Sequence, residues 1–359
     1  MSTYPTIEIH LNKIRENARI ACSYCGEKGI DVAGVVKFSD GNLKIARAYY
    51  EGGCKQIASS RSIQLKAIKE AYPEIETMLI RIPMISEVDD VVEFCDISLN
   101  SERTVLEALN SAAQNHNTIH NVILMYDLCD RREGIIDRTE FVELADHVEN
   151  NLRFLHLKGI GTTFACLSGT TPSYELLEQL VDVAQAIEVK IGRKLEIISG
   201  GSSISLQLLK KVGFPKEINH LRLGGFIANP VNMHKNYDTY IGDETEDCFR
   251  LDVEIVEVKE KDLPEVTGYN WAGHPIHVDA QPPHIRAIIA VGCQDIGGCG
   301  ELIPIAPGVK VIAASSDHTV LDVSEASMKY KPGDVVHFKL YYEGLLYAFT
   351  SRHVAKKYE

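Results

Sequence analysis

Apolar residues along the chain fall into short unbroken runs, separated by stretches in which they recur every three or four positions. The runs are "VAGVVK", "QIAS", "MLIRI", "DISLN", "VILMYD", "LKGIGTTF", "EIISGG" and "HLRLGG". The spaced stretches include "GNLKIARAYYEGG", "SRSIQLKAIKEAY", "SERTVLEALNSAAQ" and "TPSYELLEQLVDVAQAIEVK". An unbroken run suits a parallel strand buried on both faces, and the wider spacing puts one stripe of a helix against a core. Eight such strand and helix units predict an α/β fold closed into a (β/α)8 barrel, with a doubly wound open sheet as the competing topology. A short strand "TIEIHL" and a helix through about Gly29 precede the first unit.

From about residue 240 the pattern changes. "FRLDVEIVEVKE", "IRAIIAVG", "VKVIAASSDHTVLDV", "DVVHFKLYY" and "LLYAFTS" read as strands, separated by turns such as "APG" and "KPGD". The expected division is a barrel over residues 1–240 and a C-terminal β-domain over 241–359. The first strand, 6–11, is free to join the β-domain, and the acidic segment "IGDETED" (241–247) reads as the linker.

Charge narrows the partners. With 37 Lys+Arg against 50 Asp+Glu, the formal charge of -13 repels nucleic acid and anionic membranes. No run approaches the ~18 apolar residues of a membrane span. Nine cysteines without metal spacing, behind an N-terminus with no apolar signal core, suggest reduced thiols and a cytoplasmic location. Cys22 and Cys25 form a C-x-x-C, but its surroundings have helical spacing and no second pair completes a zinc site. No metal is expected.

In a barrel of this kind the active site lies at the C-terminal ends of the strands. There stand Lys37 at the tip of "DVAGVVK", Arg132 just past "VILMYD", Thr163 in "GIGTTF", the cluster "SGGSS" (199–203) with Ser202 and Ser203, and Arg222 in "LRLGG". Taken alone, a strand-end lysine is ordinary, because its stem packs while its amine reaches water. An amine facing a Gly/Ser loop and two arginines is equipment for an aldehyde cofactor that carries a phosphate. The Gly/Ser turn before a helix start can take a phosphate or can be an ordinary serine cap. It lacks the lysine of a nucleotide-binding P-loop.

The order of these residues, followed by a terminal β-domain, resembles the alanine racemase superfamily of fold-type III pyridoxal-phosphate enzymes. "LIRIPMISEVDDVVEFCDISLNSE", "VILMYDLCDRREG", "LEIISGG", "INHLRLG" and "ASSDHTVLDV" most resemble its ornithine racemase branch. The resemblance implies pyridoxal 5'-phosphate as cofactor and makes Lys37 both the residue that holds it and one of two acid/base groups. It sets Arg222 against the pyridine nitrogen and Arg132 near the phenolic oxygen and the substrate carboxylate. It assigns Ser202, Ser203, Gly224 and Gly225 to the phosphate, and Thr163 to the place of a ring-packing histidine. Ser316 and Asp317, in "SSDH", align with a segment that touches the substrate carboxylate. The implied assembly is a homodimer whose sites are shared between subunits, acting on a small amino acid.

Two positions depart from the pattern. Alanine racemases carry a phosphate-binding tyrosine four residues after the lysine, where this chain has Gly41. They also use a partner-subunit tyrosine as the second acid/base group, where "AVGCQDIGG" has Cys293. A thiol, with an ordinary pKa of ~8.5, can move a proton on the face opposite Lys37. Fold-type III decarboxylases also place a cysteine in this region. The expectation is therefore an ornithine racemase, or one for another basic or small amino acid. A lyase or decarboxylase on the same fold is the alternative, and a cofactor carrier without catalysis is the non-enzyme alternative. Asp317 and His318, as adjacent strand residues, would face opposite ways and chelate a metal poorly.

Overall fold

The structure, a computed structural model, describes residues 4–269 and 273–359. It separates into two compact units, Leu11–Cys248 and the N-terminal segment ending at His10 together with Phe249–Glu359.

In the first unit eight parallel strands close into a barrel: β2 (Asp31–Val35), β3 (Gln56–Ser59), β4 (Glu76–Leu79), β5 (Ile97–Asn100), β6 (His120–Met125), β7 (Leu155–Gly161), β8 (Ile197–Ser202) and β9 (His220–Leu223). The barrel is sealed by β9 lying beside β2, with Ala33 opposite Arg222. The covering helices are α1 (Leu11–Gly26), α2 (Leu43–Glu51), α3 (Ser62–Ala71), α4 (Val88–Phe94), α5 (Arg103–Asn115), α6 (Arg138–Asn151), α7 (Tyr174–Ile191) and α8 (Ser205–Lys211), followed by the short α9 (Gly225–Ala228) and α10 (Val231–Tyr237). In α7 the buried Leu177, Leu180, Val181, Ala184 and Ile187 follow the three-and-four spacing, and the Ser173 hydroxyl accepts from the Leu176 N–H at 3.2 Å to start the helix. Each such leucine contributes about 2 kcal/mol by leaving water.

Alternate residues of the strands fill the barrel. Ala33, Val35, Ala58, Met78, Ile97, Leu99, Ile123, Met125 and Ile197 pack as one apolar cluster there. The remaining interior is polar, built from Ser199, His220, Arg222 and Gln56, all buried.

The second unit is a mainly antiparallel sheet. Its strands are β1 (Thr6–Ile9), β10 (Phe249–Leu263), β13 (Gln281–Ile289), β14 (Leu302–Pro304), β15 (Lys310–Ala314), β16 (Thr319–Asp322), β17 (Val335–Leu340) and β18 (Ala355–Tyr358), and β11 (Val266–Tyr269) and β12 (Pro275–Val278) form a separate hairpin. In β10 the residues Phe249, Leu251, Val253 and Ile255 are buried at period two. The first strand belongs here: β1 runs antiparallel to β10 and parallel to β18.

Two sequence expectations are corrected. "LLYAFTS" is a helix, α12 (Tyr342–Thr350), not a strand, with Leu345, Ala348 and Phe349 buried on one stripe. A short apolar run carries no periodicity that separates the two states, and here the one-three-four spacing wins. Residues 315–318 are the turn between β15 and β16, closed by the Ser315 N–H donating to the His318 carbonyl at 2.8 Å, so Asp317 and His318 are not adjacent strand residues.

The acidic segment 241–247 is tied to α1. Asn17, fully buried, donates to the carbonyls of Ile227 (3.0 Å) and Thr245 (2.9 Å) and accepts from the Thr245 N–H (2.9 Å). Asn17→Ala removes three hydrogen bonds to backbone groups, of which the Thr245 carbonyl keeps only the Cys248 thiol at 3.7 Å, and is expected to cost about 3 kcal/mol, read as a lower urea midpoint. A midpoint within error of the parent's shows that these bonds do not hold the segment.

Candidate active site

The β2 ladder ends as the Val36 N–H donates to the Ala58 carbonyl at 2.9 Å. A single 3-10 turn, Lys37–Ser39, follows at once and is closed by Asp40 in the left-handed region. Lys37 thus stands two residues past β2 and opens this turn. Its side chain enters a cavity of about 340 Å3, lined also by Ser60, Ile80, Arg81, Ile82, Arg132 and Glu133. Burial lowers the pKa of the amine below the usual lysine value; Cys166 and Glu133 pull it upward and Arg132 pulls it down.

Arg132 is placed by the loop between β6 and α6. The Asp127 carboxylate accepts from the Arg131 N–H at 3.1 Å, and Asp130 accepts from the N–H groups of Cys166 (2.9 Å) and Leu167 (3.2 Å), which ties this loop to the one after β7. Cys129 and Arg131 are held at φ 78° and 60°, a conformation that costs a non-glycine residue about 1 kcal/mol. Arg132 then forks onto Glu133, with Nε donating to Oε2 and Nη2 to Oε1. That pairing holds the guanidinium above its ordinary range. The Thr163 hydroxyl donates to Glu133 at 3.4 Å and accepts from Arg222 at 3.2 Å.

Arg222 is fully enclosed. It donates to Ser199 Oγ at 2.5 Å and to the Thr162 carbonyl at 2.7 Å. Burial lowers its pKa to about 10, so it stays charged at neutral pH. Ser199 Oγ lies 2.9 Å from His220 Nδ1, and because the Glu76 carboxylate only accepts, Gln56 turns its amide N–H to Glu76 and its Oε1 to the His220 ring. His220 is then the Nε2–H tautomer, donating to Gln56 Oε1 at 3.3 Å. Gln56 donates to Glu76 at 2.6 Å, and Lys158 donates to the other Glu76 oxygen at 2.7 Å. One directed chain of hydrogen bonds thus runs from Arg222 to Glu76, where Lys158 donates from the other side.

Ser202 closes β8 and Ser203 follows it. The Ser203 hydroxyl accepts from the N–H groups of Gly224 (3.4 Å) and Phe226 (3.3 Å), so the donors that converge on the Gly/Ser loop come from residues 224–226, the turn that also carries Gly225. The helix directly after the loop, α8, has Ile204 at its cap position and no side-chain cap. At position 41 the backbone has φ +69°, and a Cβ there would lie 2.6 Å from Gln64 Cβ, so no tyrosine can stand where the resemblance would put one. Tyr49 on α2 reaches the same loop instead, its hydroxyl donating to the Gly224 carbonyl at 3.1 Å.

A buried amine with a lowered pKa, a buried cation beside the partnerless Thr162 hydroxyl, and converging N–H donors suit a phosphorylated aldehyde. Among the described residues no group of three or more His, Cys, Asp or Glu is arranged for a metal ion.

The structure therefore gathers Lys37, Arg132, Thr163, Ser202, Ser203, Arg222, Gly224 and Gly225 at one end of the barrel. Cys293, Ser316 and Asp317 lie together in the other unit. There Cys293 opens α11 (Cys293–Ile296), and its N–H donates to the Ser315 carbonyl at 2.7 Å. A Cβ on Gly292 would lie 2.4 Å from the Ser316 carbonyl, so only glycine lets the two loops cross this closely. Ser316 and Gln294 both donate to the Asp317 carboxylate. Sequence reasoning missed Glu133, Tyr49, Ser199 and His220. The last had a usable signal, since a residue two before Arg222 on a strand shares its face.

Burial holds His220 down to about 3 and His120, whose ring meets the Ser98 hydroxyl at 2.8 Å, down to about 4. Both are neutral in the folded barrel, while an unfolded chain protonates them below about pH 6.5. Stability is thus whole above pH 6.5 and lost as pH falls toward 4, by about 1.4 kcal/mol per pH unit for each histidine. Denaturation at pH 6.5 and 5.0 should show this slope, and His220→Gln and His120→Gln should each flatten it. An unaltered slope in both variants excludes the two imidazoles as its source.

The family model of the alanine racemase N-terminal domain matches residues 9–228. The ornithine racemase of Acetoanaerobium sticklandii is 36% identical over 357 residues, 99% of each chain. The lysine racemase of Thermotoga maritima is 34% identical over 360 residues, again 99% of each. Among solved structures, alanine racemase from Streptomyces lavendulae shares the fold with a TM-score of 0.75 at 17% identity, covering 100% of this chain and 98% of that one. With both its barrel and its β unit matched end to end, the chain belongs to the alanine racemase family.

Proposed function

We propose that the chain is a pyridoxal 5'-phosphate-dependent amino-acid racemase acting on ornithine, with lysine the next candidate and small amino acids such as alanine behind them. The observation that carries this reading is the amine of Lys37, its pKa lowered by burial, in a rim cavity beside Arg132 and Glu133. Similarity over the whole chain to an ornithine and a lysine racemase supports the substrate class. It also disfavours a lyase or decarboxylase, and the β unit disfavours a single-domain cofactor carrier.

Bound pyridoxal phosphate supplies the aldehyde and the electron-withdrawing ring that acidify an amino acid's α C–H. Lys37 holds that aldehyde, and its amine carries the α-proton on one face. Cys293 of the partner subunit carries it on the opposite face, which is what inversion at a planar carbon needs. Ser202, Ser203 and the N–H groups of Gly224 and Gly225 hold the phosphate. Arg222 would face the ring nitrogen, where its retained charge would keep a proton off that atom. Thr163 would lie against the ring. Arg132 receives the substrate carboxylate, assisted by Ser316 and the backbone of Asp317. A homodimer with shared sites follows from this assignment. All nine cysteines are free thiols, in keeping with a cytoplasmic location, and no helix among the described residues is long and apolar enough to cross a membrane.

The purified protein should be yellow, and borohydride should fix the cofactor on Lys37, as read by peptide mass. L-Ornithine in deuterated water should give α-deuterated product of both hands. A colourless protein, label elsewhere, or release of carbon dioxide, ammonia or an aldehyde overturns the reading. Cys293→Ala should stay yellow and lose racemisation by about a thousandfold, while the proton facing Lys37 still exchanges from one hand of substrate. Unchanged turnover removes the thiol from the mechanism.

A further inference from the structure

We propose that Glu133 selects a cationic side chain by exchanging its ion-pair partner, from Arg132 to the ammonium at the end of the substrate's side chain. The inference rests on the reading of the chain as a racemase of basic amino acids.

Among the described residues lining the Lys37 cavity, Glu133 is the one carboxylate. Its side chain is only 15% exposed. The other cation on the wall, Arg81, is already committed: it donates to the Ser60 carbonyl at 3.0 Å and to Glu87 at 2.6 Å. Asp127 and Asp130, in the same loop as Glu133, bond that loop's own backbone and, through Asp130 Oδ1, the N–H groups of the neighbouring one, and neither lines the cavity. Glu133 by contrast is bound to two side chains that face the cavity or the barrel interior, the Arg132 fork and the Thr163 hydroxyl.

The fork matters because it occupies the Nε and Nη2 edge of Arg132, the edge best shaped to receive a carboxylate in two parallel bonds. A substrate carboxylate that takes this edge displaces Glu133. The displaced carboxylate keeps Thr163 but faces a wall that includes Ile80 and Ile82, both packed on the barrel core. Leaving a mostly buried charge without its partner is costly. A diamino acid brings a carboxylate for Arg132 and an ammonium for Glu133, so one internal pair becomes two pairs with the ligand. Alanine brings only the carboxylate and strands Glu133. Discrimination then comes from a penalty on the wrong substrate as much as from attraction for the right one.

The test compares parent, Glu133→Gln and Glu133→Asp holoenzymes, each first shown to be yellow and folded. In Glu133→Gln, kcat/KM for L-ornithine and L-lysine should fall about a hundredfold, mainly through KM, while that for L-alanine rises. Glu133→Asp should recover part of the preference. Calorimetry supplies a readout apart from turnover: the parent should bind 5-aminopentanoate at least tenfold more tightly than pentanoate, and Glu133→Gln should bind the two alike. An equal loss on all three substrates makes Glu133 only a support for Arg132 and overturns the proposal, as does an unchanged ornithine preference. A parent enzyme that racemises none of the amino acids removes the racemase reading itself, a result distinct from either.

Discussion

A guanidinium carries five donors and no acceptor, so Arg222 can be buried inside the barrel only where oxygens meet it. That constraint shapes the whole polar half of the interior. The register between β8 and β9 slips, with Ser199 opposite His220 but Ser202 opposite Arg222, so three steps on one strand answer two on the other. A bulge of this kind bends the strand and re-aims its end. Here it leaves Ser199 beneath the guanidinium while Ser203 comes within reach of the Gly224 and Phe226 N–H groups. The bonds beyond Ser199 then have their direction forced, ending at the Glu76–Lys158 pair. A barrel filled only with aliphatic layers would pack as well, but it could not hold a cation at this depth.

The rim poses a second electrostatic problem. Three cations, Lys37, Arg132 and Arg222, stand here, and Arg132 lowers the pKa of both of the others. Glu133 acts against it at both sites. One carboxylate therefore tempers three cations, so that the amine is eased toward neutrality by burial while Arg222 remains charged. These two states suit the proposed roles: a neutral amine can react, and a charged guanidinium can deter a proton from a facing nitrogen.

The sequence displayed what depends on periodicity and on strand ends. The eight barrel strands lie within a few residues of the runs that predicted them, because a strand covered on both faces must be apolar throughout. The rim residues from Lys37 to Arg222 were legible for the same reason, as polar positions within or just past the C-terminal ends of the runs. What stayed hidden are side chains whose setting contradicts their type. His220, Gln56 and Lys158 stand as polar residues inside runs read as buried strands, and Glu76 just before one, with nothing in the spacing to join the four into one network. Tyr49 sits on a helix like any packed aromatic, and the link to Gly224 exists only in three dimensions. "LLYAF" misled in the opposite way, being apolar enough for a buried strand and too short to show its helical stripe.

The division of the proposed chemistry between two units has a consequence for what the scaffold can evolve. The barrel supplies everything on one side: the amine, the anion-binding turn and the arginines. The thiol sits on a crossing of two loops that is held tightly, through the close approach at Gly292, the Cys293 and Gln294 N–H bonds to the 315–316 carbonyls, and the buried Asp295 accepting from Ser351 at 2.6 Å. A proton carrier is useful only while its distance to the reacting carbon is fixed, so this rigidity matters as much as the identity of the atom. If the thiol carries the proton as proposed, the residue at 293 could change the proton's fate without disturbing the barrel's end of the site, because it stands on a loop that is braced independently of the barrel.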